Sequence, residues 1–474
     1  MRTAFVRQVS GDHMHADTMM RWMIPVLGAL ALGWAQAARA QDGPPQEPPT
    51  THQHEHSQAV QPPQPETPSD EHAAHAEHTG HAGHDMSLFD GRDTAGTGWA
   101  PVATPMLATH VRIGAWTAMV MGNAFFGYLQ EFAPDERGGH QVNSTNWLMG
   151  MARRRAGAGV VGARVMLSAE PLTVPGCGYP DLLATGELCD GESIHDRQHP
   201  HDLFMELAAE YSRPLARGLR WHLYGGPAGE PALGPVAFPH RASAMANPIA
   251  PLSHHWLDAT HITYGVVTSG VSGARWRAEA SVFNGREPDE RRTNFDFAPM
   301  DSVSGRLQLA PTDRIALQVS AGHLVEAEAG EGALPRRDVD RVTASAMYQG
   351  SLGGRPASWM LGWGTNLETG TRTHAVLAEA SVALTRVDTV FGRAEIAGKR
   401  GHDLDIPEAE DAIFTVGKIQ TGYLRLLAPR RGVQAGLGAS LSVSLVPEAL
   451  KPHYGGTAAL GLGVFATLRP TAAP

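Results

Sequence analysis

The chain has 474 residues, with 53 Gly, only 2 Cys, 18% charged residues and a formal net charge of -10. An acidic balance excludes a dedicated nucleic-acid binder. A glycine-rich, cysteine-poor composition reads as strand-rich, turn-rich and exported rather than as a cytosolic enzyme.

Arg21 precedes an apolar run from Trp22 to Trp34, and Ala38-Arg39-Ala40 places small residues at the two positions a signal peptidase reads. Residues 1–40 are therefore read as upstream residues and a signal peptide, with Met19 or Met20 as an ordinary start and Gln41 as the mature N-terminus. Residues 41–100 are predicted to be a disordered His/Pro-rich periplasmic arm. From Gln41 to His84 this arm holds eight Pro, eight His and seven acidic residues, with no Lys or Arg. Such a segment cannot bury enough apolar surface to offset the entropy of ordering. His72, His75, His78, His81 and His84 recur every three residues, so a polyproline-like conformation lines them along one edge. Adjacent imidazoles suit copper or zinc ions; a merely solvating tail is the competing reading.

Beyond residue 40 no run reaches the ~18 apolar residues that a spanning helix needs. Residues 101–474 instead alternate with period 2. In Ser302–Ala321, Val303, Leu307, Leu309, Leu317 and Val319 fall on one face, and Ser304, Arg306, Gln308, Gln318 and Ser320 on the other. Trp276, Ala278, Ala280 and Val282 oppose Arg277, Glu279 and Ser281, and Leu437, Leu441 and Val443 oppose Ser440 and Ser442. Arg393 with Glu395, and Lys418 with Gln420, sit two apart inside predicted strands, as residues facing a wet lumen would. The expected fold is all-β: a transmembrane antiparallel up-and-down β-barrel in a Gram-negative outer membrane. Sixteen strands are predicted, from His110–Tyr128 through Ala259–Ser269 to Gly456–Leu468, with fourteen and eighteen also open. The short connections near Arg154–Ala156, Arg213–Arg217, Gly270–Ser272, Pro311–Asp313 and Thr385–Asp388 are assigned to the periplasm. The two longest, Glu170–His201 and Gly226–Asp258, are extracellular or fold into the mouth of the barrel.

Those two loops carry the chemistry. His195, His199, His201 and Asp202 cluster in the first, with Pro200 and extended spacing placing His199 and His201 on one side. His240, His254, His255, Asp258 and His261 cluster in or just after the second. Converging neutral imidazoles, with a carboxylate as fourth ligand or orienter, make a competent copper or zinc site. A hydrogen-bonded network that only holds loops inside a wet barrel is the competing reading, and an acid-base site is a third. Cys177 and Cys189 are expected to form a disulfide that closes the first loop. Trp116, Met119, Met121, Phe125, Phe126, Tyr128, Trp147, Met149 and Met151 are assigned to a lipid-facing surface with an aromatic girdle; soft copper(I) ligation is the minor reading. Arg153-Arg154-Arg155 is read as a solvated turn.

Three strings carry a resemblance: Asp196-Arg197-Gln198-His199-Pro200-His201-Asp202-Leu203-Phe204-Met205-Glu206-Leu207, Gly229-Glu230-Pro231-Ala232-Leu233-Gly234-Pro235, and His254-His255-Trp256-Leu257-Asp258-Ala259-Thr260-His261-Ile262. They resemble a group of Gram-negative outer-membrane barrels associated with copper and heavy-metal resistance. More broadly, the chain is similar to the copper-resistance B proteins, which pair a metal-binding leader with a barrel, although this leader is rich in His and poor in Met. The resemblance implies a location and a metal-related setting rather than an activity. The expected function is to bind or pass a transition-metal ion of the copper or zinc class, with membrane lipid, metal ions and periplasmic metal-handling proteins as partners and no organic cofactor. A general porin or structural barrel is the alternative. An outer-membrane hydrolase is the last, and it lacks a Gly-x-Ser-x-Gly or P-loop signature.

Overall fold

In the computed structural model, the structure describes residues 88–471 except 90, 135–136 and 329–335, with residues 186, 187 and 192 described in backbone only. The signal peptide and the arm histidines His72, His75, His78, His81 and His84 lie outside the described residues.

The strands are β1 (Thr109–Ile113), β2 (Trp116–Phe132), β3 (Gly139–Asn143), β4 (Asn146–Ala156), β5 (Gly159–Leu167), β6 (Tyr179–Cys189), β7 (Glu192–Gln198), β8 (Phe204–Ala216), β9 (Leu219–Ala228) and β10 (Val266–Ser272). They continue with β11 (Trp276–Phe283), β12 (Ser302–Thr312), β13 (Ile315–Glu328), β14 (Arg337–Leu352), β15 (Arg355–Glu368), β16 (Thr371–Ala383), β17 (Asp388–Arg400), β18 (Ile413–Leu426), β19 (Val433–Leu445) and β20 (Ala458–Pro470). From β4 onward each pairs antiparallel with the next, apart from the separate β6–β7 hairpin, and β20 returns to β2 from Ala124↔Leu468 to Phe132↔Leu460. Short β1 and β3 fill the remaining edges of β2, beside β20 and β4 respectively. The sheet is thus a closed antiparallel barrel of sixteen strands.

Closure removes every edge, the condition for a sheet to sit in hydrocarbon. The outer face is the apolar one: Leu437, Leu441, Leu460 and Phe126 are each about 60% exposed, whereas Ser440, Ser442, Arg306 and Gln308 are buried. Arg393, Glu395, Lys418 and Gln420 all face the lumen, as expected. The period-2 split therefore sorts side chains between lipid and interior. Replacing Leu437 with arginine is expected to cost roughly 2–4 kcal/mol if it sits near the bilayer midplane, read as a lowered urea midpoint for folding into vesicles; an unchanged midpoint would remove this face from the lipid.

Four expectations need correction. The run His110–Tyr128 is a hairpin rather than one strand, because the chain reverses at Gly114, whose φ of +61° favours glycine. Ala259–Ser269 is strand only from Val266; Ala259–His261 is a 3-10 turn inside the loop. The arm does not extend to residue 100, since residues 94–101 are buried in the barrel. Arg153 does not end in a solvated turn: it reaches Asp93 at 2.8 Å and also binds Glu210.

The short turns lie at one end, where β4–β5, β8–β9, β12–β13 and β14–β15 meet through two residues each. Gly353 and Gly354 both have positive φ, as a type I′ hairpin turn requires. Long connections lie mostly at the other end; the two-residue turn at Thr369-Gly370 is an exception there.

The lumen is filled by the chain itself. At the short-turn end, Thr97 Oγ1 donates to Glu279 (2.7 Å), the Trp99 amide to Gln308 (2.7 Å), and Arg164 to the Thr94 and Gly96 carbonyls (2.7 and 2.8 Å). Residues 229–265 run through the interior, tied to the wall from the Ala232 amide to Ser281 (2.7 Å), Gly234 to Ser320 (2.8 Å), Asn247 to Gln420 (2.6 Å), Ser253 to Glu395 (2.9 Å) and Trp256 to Thr373 (2.9 Å). The β6–β7 hairpin carries the Cys177–Cys189 disulfide, which joins the approach to β6 to its last residue, with Cα atoms 5.8 Å apart. It is held by Lys418 to Asp181 and by Lys399 to Thr185 (2.7 Å).

Candidate functional site

Backbone-polar loops can enter a barrel only if their groups find partners. Here the lumenal side chains supply them. The connection from β5 to β8 brings in His199 and His201, and the connection from β9 to β10 folds into a helical turn, His254–Leu257, followed by the Ala259–His261 turn. Five imidazoles meet where these loops touch. His254 is central, its ring centroid 5.0 Å from His261, 5.7 Å from His255 and 6.5 Å from His199. His201 completes the cluster 5.2 Å from His261, and Phe238 packs against His201, His254 and His261.

Each of four rings has one nitrogen already engaged. His254 Nδ1 lies 2.8 Å from Asp258, His201 Nδ1 2.9 Å from Glu170, His255 Nδ1 3.2 Å from Glu287, and His261 Nδ1 2.8 Å from the Asp258 carbonyl. A carbonyl oxygen can only accept, so His261 carries its proton on Nδ1 and leaves Nε2 with a lone pair. Ionised Asp258 fixes His254 in the same way. The Nε2 atoms of His255 and His261 are buried and have no hydrogen-bond partner.

Burial lowers the pKa of His199, His254, His255 and His261, keeping these rings neutral. At His201 burial acts in the same sense, but Glu170 outweighs it and raises the pKa. For Asp258 burial favours the neutral acid, yet Arg241 at 2.6 Å and His254 hold it well below the ordinary carboxylate range. Burial raises Glu287 to about 7. Glu287, Glu328 and His255 each offer one donor atom, all within 4.8 Å of one another.

The other candidates stand apart. His195 faces Asp405 at 3.5 Å, His240 packs on Trp147 with Nε2 3.3 Å from Met166 Sδ, and Asp202 lies 3.6 Å from Arg292. Strict alternation would put His195, four residues before His199, in the same phase, but the extended run is broken at Asp196, whose φ is +58°, and His195 faces the Asp405 loop instead. Asp258 acts through His254, Arg241 and the Phe238 amide (3.0 Å). Sequence reasoning missed Glu170, Glu287, Glu328 and Arg241. Only Arg241, next to His240, carried a local signal.

The girdle assignment splits by phase. Trp116, Phe126 and Tyr128 lie on the outward phase of β2, but Met119, Met121 and Phe125 point inward, as do Met149 and Met151 on β4, and all five are buried. Trp147 also turns inward, against His240. Both phases of these strands are apolar because the lumen here is lined by the apolar Phe89, Ile262 and Tyr264.

No protein-family model matches the chain, and no curated protein sequence is similar to it. Its backbone is similar to solved outer-membrane barrels. Salmonella typhi OmpF in complex with daunomycin is 9% identical over 76% of this chain and 99% of that one, with a TM-score of 0.46. The anion-selective porin from Comamonas acidovorans is 11% identical over 75% and 99%, with a TM-score of 0.44. A loop-deletion mutant of Vibrio cholerae OmpT is 9% identical over 75% and 99%, also at 0.44. Likeness at that level carries less than the strand register does. With its closed sheet, lipid-facing apolar belt and satisfied backbone, the chain is a sixteen-stranded β-barrel of the outer membrane.

Proposed function

We propose that the barrel takes up a divalent transition-metal ion, zinc or copper(II), at the imidazole cluster inside its lumen. The observation that carries this reading is the pair of buried, unpartnered Nε2 atoms on His255 and His261, in rings whose opposite nitrogens face a carboxylate and a carbonyl. Metal-ligating histidines are oriented in that way, whereas a purely structural network would satisfy such atoms. Donor atoms already lie within 4.8 Å of one another at His255, Glu287 and Glu328; His254 and His261 would close on the ion from the same cluster, with His199 and His201 adjacent. The borderline-soft imidazole donors fit both metals.

Titration of zinc and copper(II) into the detergent-solubilised full chain tests this. The double variant His254→Phe/His261→Phe should lose one binding equivalent. Because burial keeps these rings neutral, wild-type binding should persist as pH falls through the ordinary imidazole value of about 6.5. Unchanged stoichiometry in the variant, or loss that tracks free imidazole, would sink the assignment.

A general porin is favoured by the strand count, since sixteen strands enclose an aqueous channel when left empty. The loops packed through the interior speak against free diffusion. The hydrolytic reading gains nothing from Ser253, next to His254, which gives its hydroxyl to Glu395 at 2.8 Å.

A further inference from the structure

Six methionines, Met119, Met121, Met149, Met151, Met166 and Met205, come from four neighbouring wall strands and are all buried on the lumenal side. The register sets Met119 opposite Met151, Met121 opposite Met149, and Met149 opposite Met166. Directly opposed residues bring Cβ atoms to about 4.5–5.5 Å, so neighbouring thioethers can converge. Against this ladder the long loop lays His240, with Nε2 3.3 Å from Met166 Sδ. A cavity of about 250 Å³ opens beside it, lined in part by Met106, Met121, Met245, Trp147 and His240.

Leucine would pack such a wall as well as methionine does, and leucine keeps a better-defined rotamer. What methionine adds is a polarizable sulfur donor. Thioethers select soft ions such as copper(I), and imidazole is compatible with them. The donors are all neutral, and burial holds His240 neutral as well, with its pKa lowered to about 3. Arg164, opposite Met151 and the charge that acts on His240, is already paired with Glu210 at 2.8 Å. A neutral donor set favours a monovalent ion, because the cost of desolvating an ion rises steeply with its charge.

We propose that Met121, Met149, Met166 and His240 form a binding site for a soft monovalent cation, copper(I) or silver(I), within the barrel. The site has a different donor set from the imidazole cluster and does not rest on it.

The full chain in detergent should be titrated with silver(I), and with copper(I) against a chromophoric chelator, beside the variant Met149→Leu/Met166→Leu. Leucine conserves most of the volume, so packing should survive. The variant should lose one equivalent of either ion, or bind it at least tenfold more weakly, with zinc stoichiometry unchanged. Copper X-ray absorption of the wild type should show sulfur neighbours that the variant lacks. Equal soft-ion binding in both proteins would overturn the site, as would a wild-type spectrum with nitrogen and oxygen neighbours only. Retained heat-modifiable migration on gels reports folding; should the double variant fail to fold, Met121→Leu and the wild-type spectrum decide.

Discussion

Replacing Arg241 with alanine is expected to release residues 229–265 from the lumen and turn a blocked barrel into a conducting one. Arg241 is almost wholly buried, with Nε 2.7 Å from Glu379 on the wall, Nη1 2.6 Å from Asp258 in the loop, and Nη1 also 3.1 Å from the Val236 carbonyl. It is a buried ionic pin between plug and wall, closer than the 3.9 Å pair of Arg306 with Glu230. Its loss leaves carboxylates facing each other in a low-dielectric interior, where breaking a buried pair costs about 3–5 kcal/mol. Glu379 retains Arg393 at 3.1 Å, so the wall survives and the loop is the part that yields. In planar bilayers the wild type should conduct weakly, and Arg241→Ala should show larger, porin-like steps together with proteolysis inside residues 229–265. Equal conductance in the two proteins would show that the loop is held by its other contacts.

Changing Asp258 to asparagine should weaken metal binding about 10–100-fold, the range found when an orienting carboxylate behind a ligand histidine is lost. The side chain binds His254 Nδ1 and Arg241, while the carbonyl of the same residue receives His261 Nδ1. Asparagine keeps the size and an acceptor oxygen, but it removes the charge that stabilises a positively polarised imidazole. The loop contact through the Phe238 amide can persist. A fall in zinc affinity with normal migration of the folded barrel is the expected result. Unchanged affinity would reduce the imidazole cluster to packing.

The strands were legible because lipid outside and polar groups inside impose period 2 on most of the chain. In β12, β13 and β19 the alternation of Leu and Val with Ser, Arg and Gln maps directly onto exposure. It failed where both environments are apolar. On β2 and β4 the lumenal Met119, Met121, Met149 and Met151 face an apolar stretch of the plug, so hydrophobicity alone gives no phase. The gathering of His199, His201, His254 and His261 from two loops was anticipated from their density. Their partners Glu170 and Glu287 were not, because a carboxylate reveals its role only when the chain has placed it beside a ring. The boundary of the arm was obscure for a similar reason: Thr94, Thr97 and Trp99 look like linker residues until Arg164, Glu279 and Gln308 receive them.

Closure between β20 and β2 joins residues 344 apart in sequence, as at Thr467 and Asn123. Residues 229–265, by contrast, leave β9 and return to its neighbour β10 at one end of the barrel, so they fold in through a single mouth. Their wall partners Ser281, Ser320, Thr373, Glu395 and Gln420 stand on five strands between β11 and β18, so the interior is fully held only once that part of the wall has assembled. Such distant pairing folds slowly, so the packing of the interior should lag behind the local hairpins of the wall.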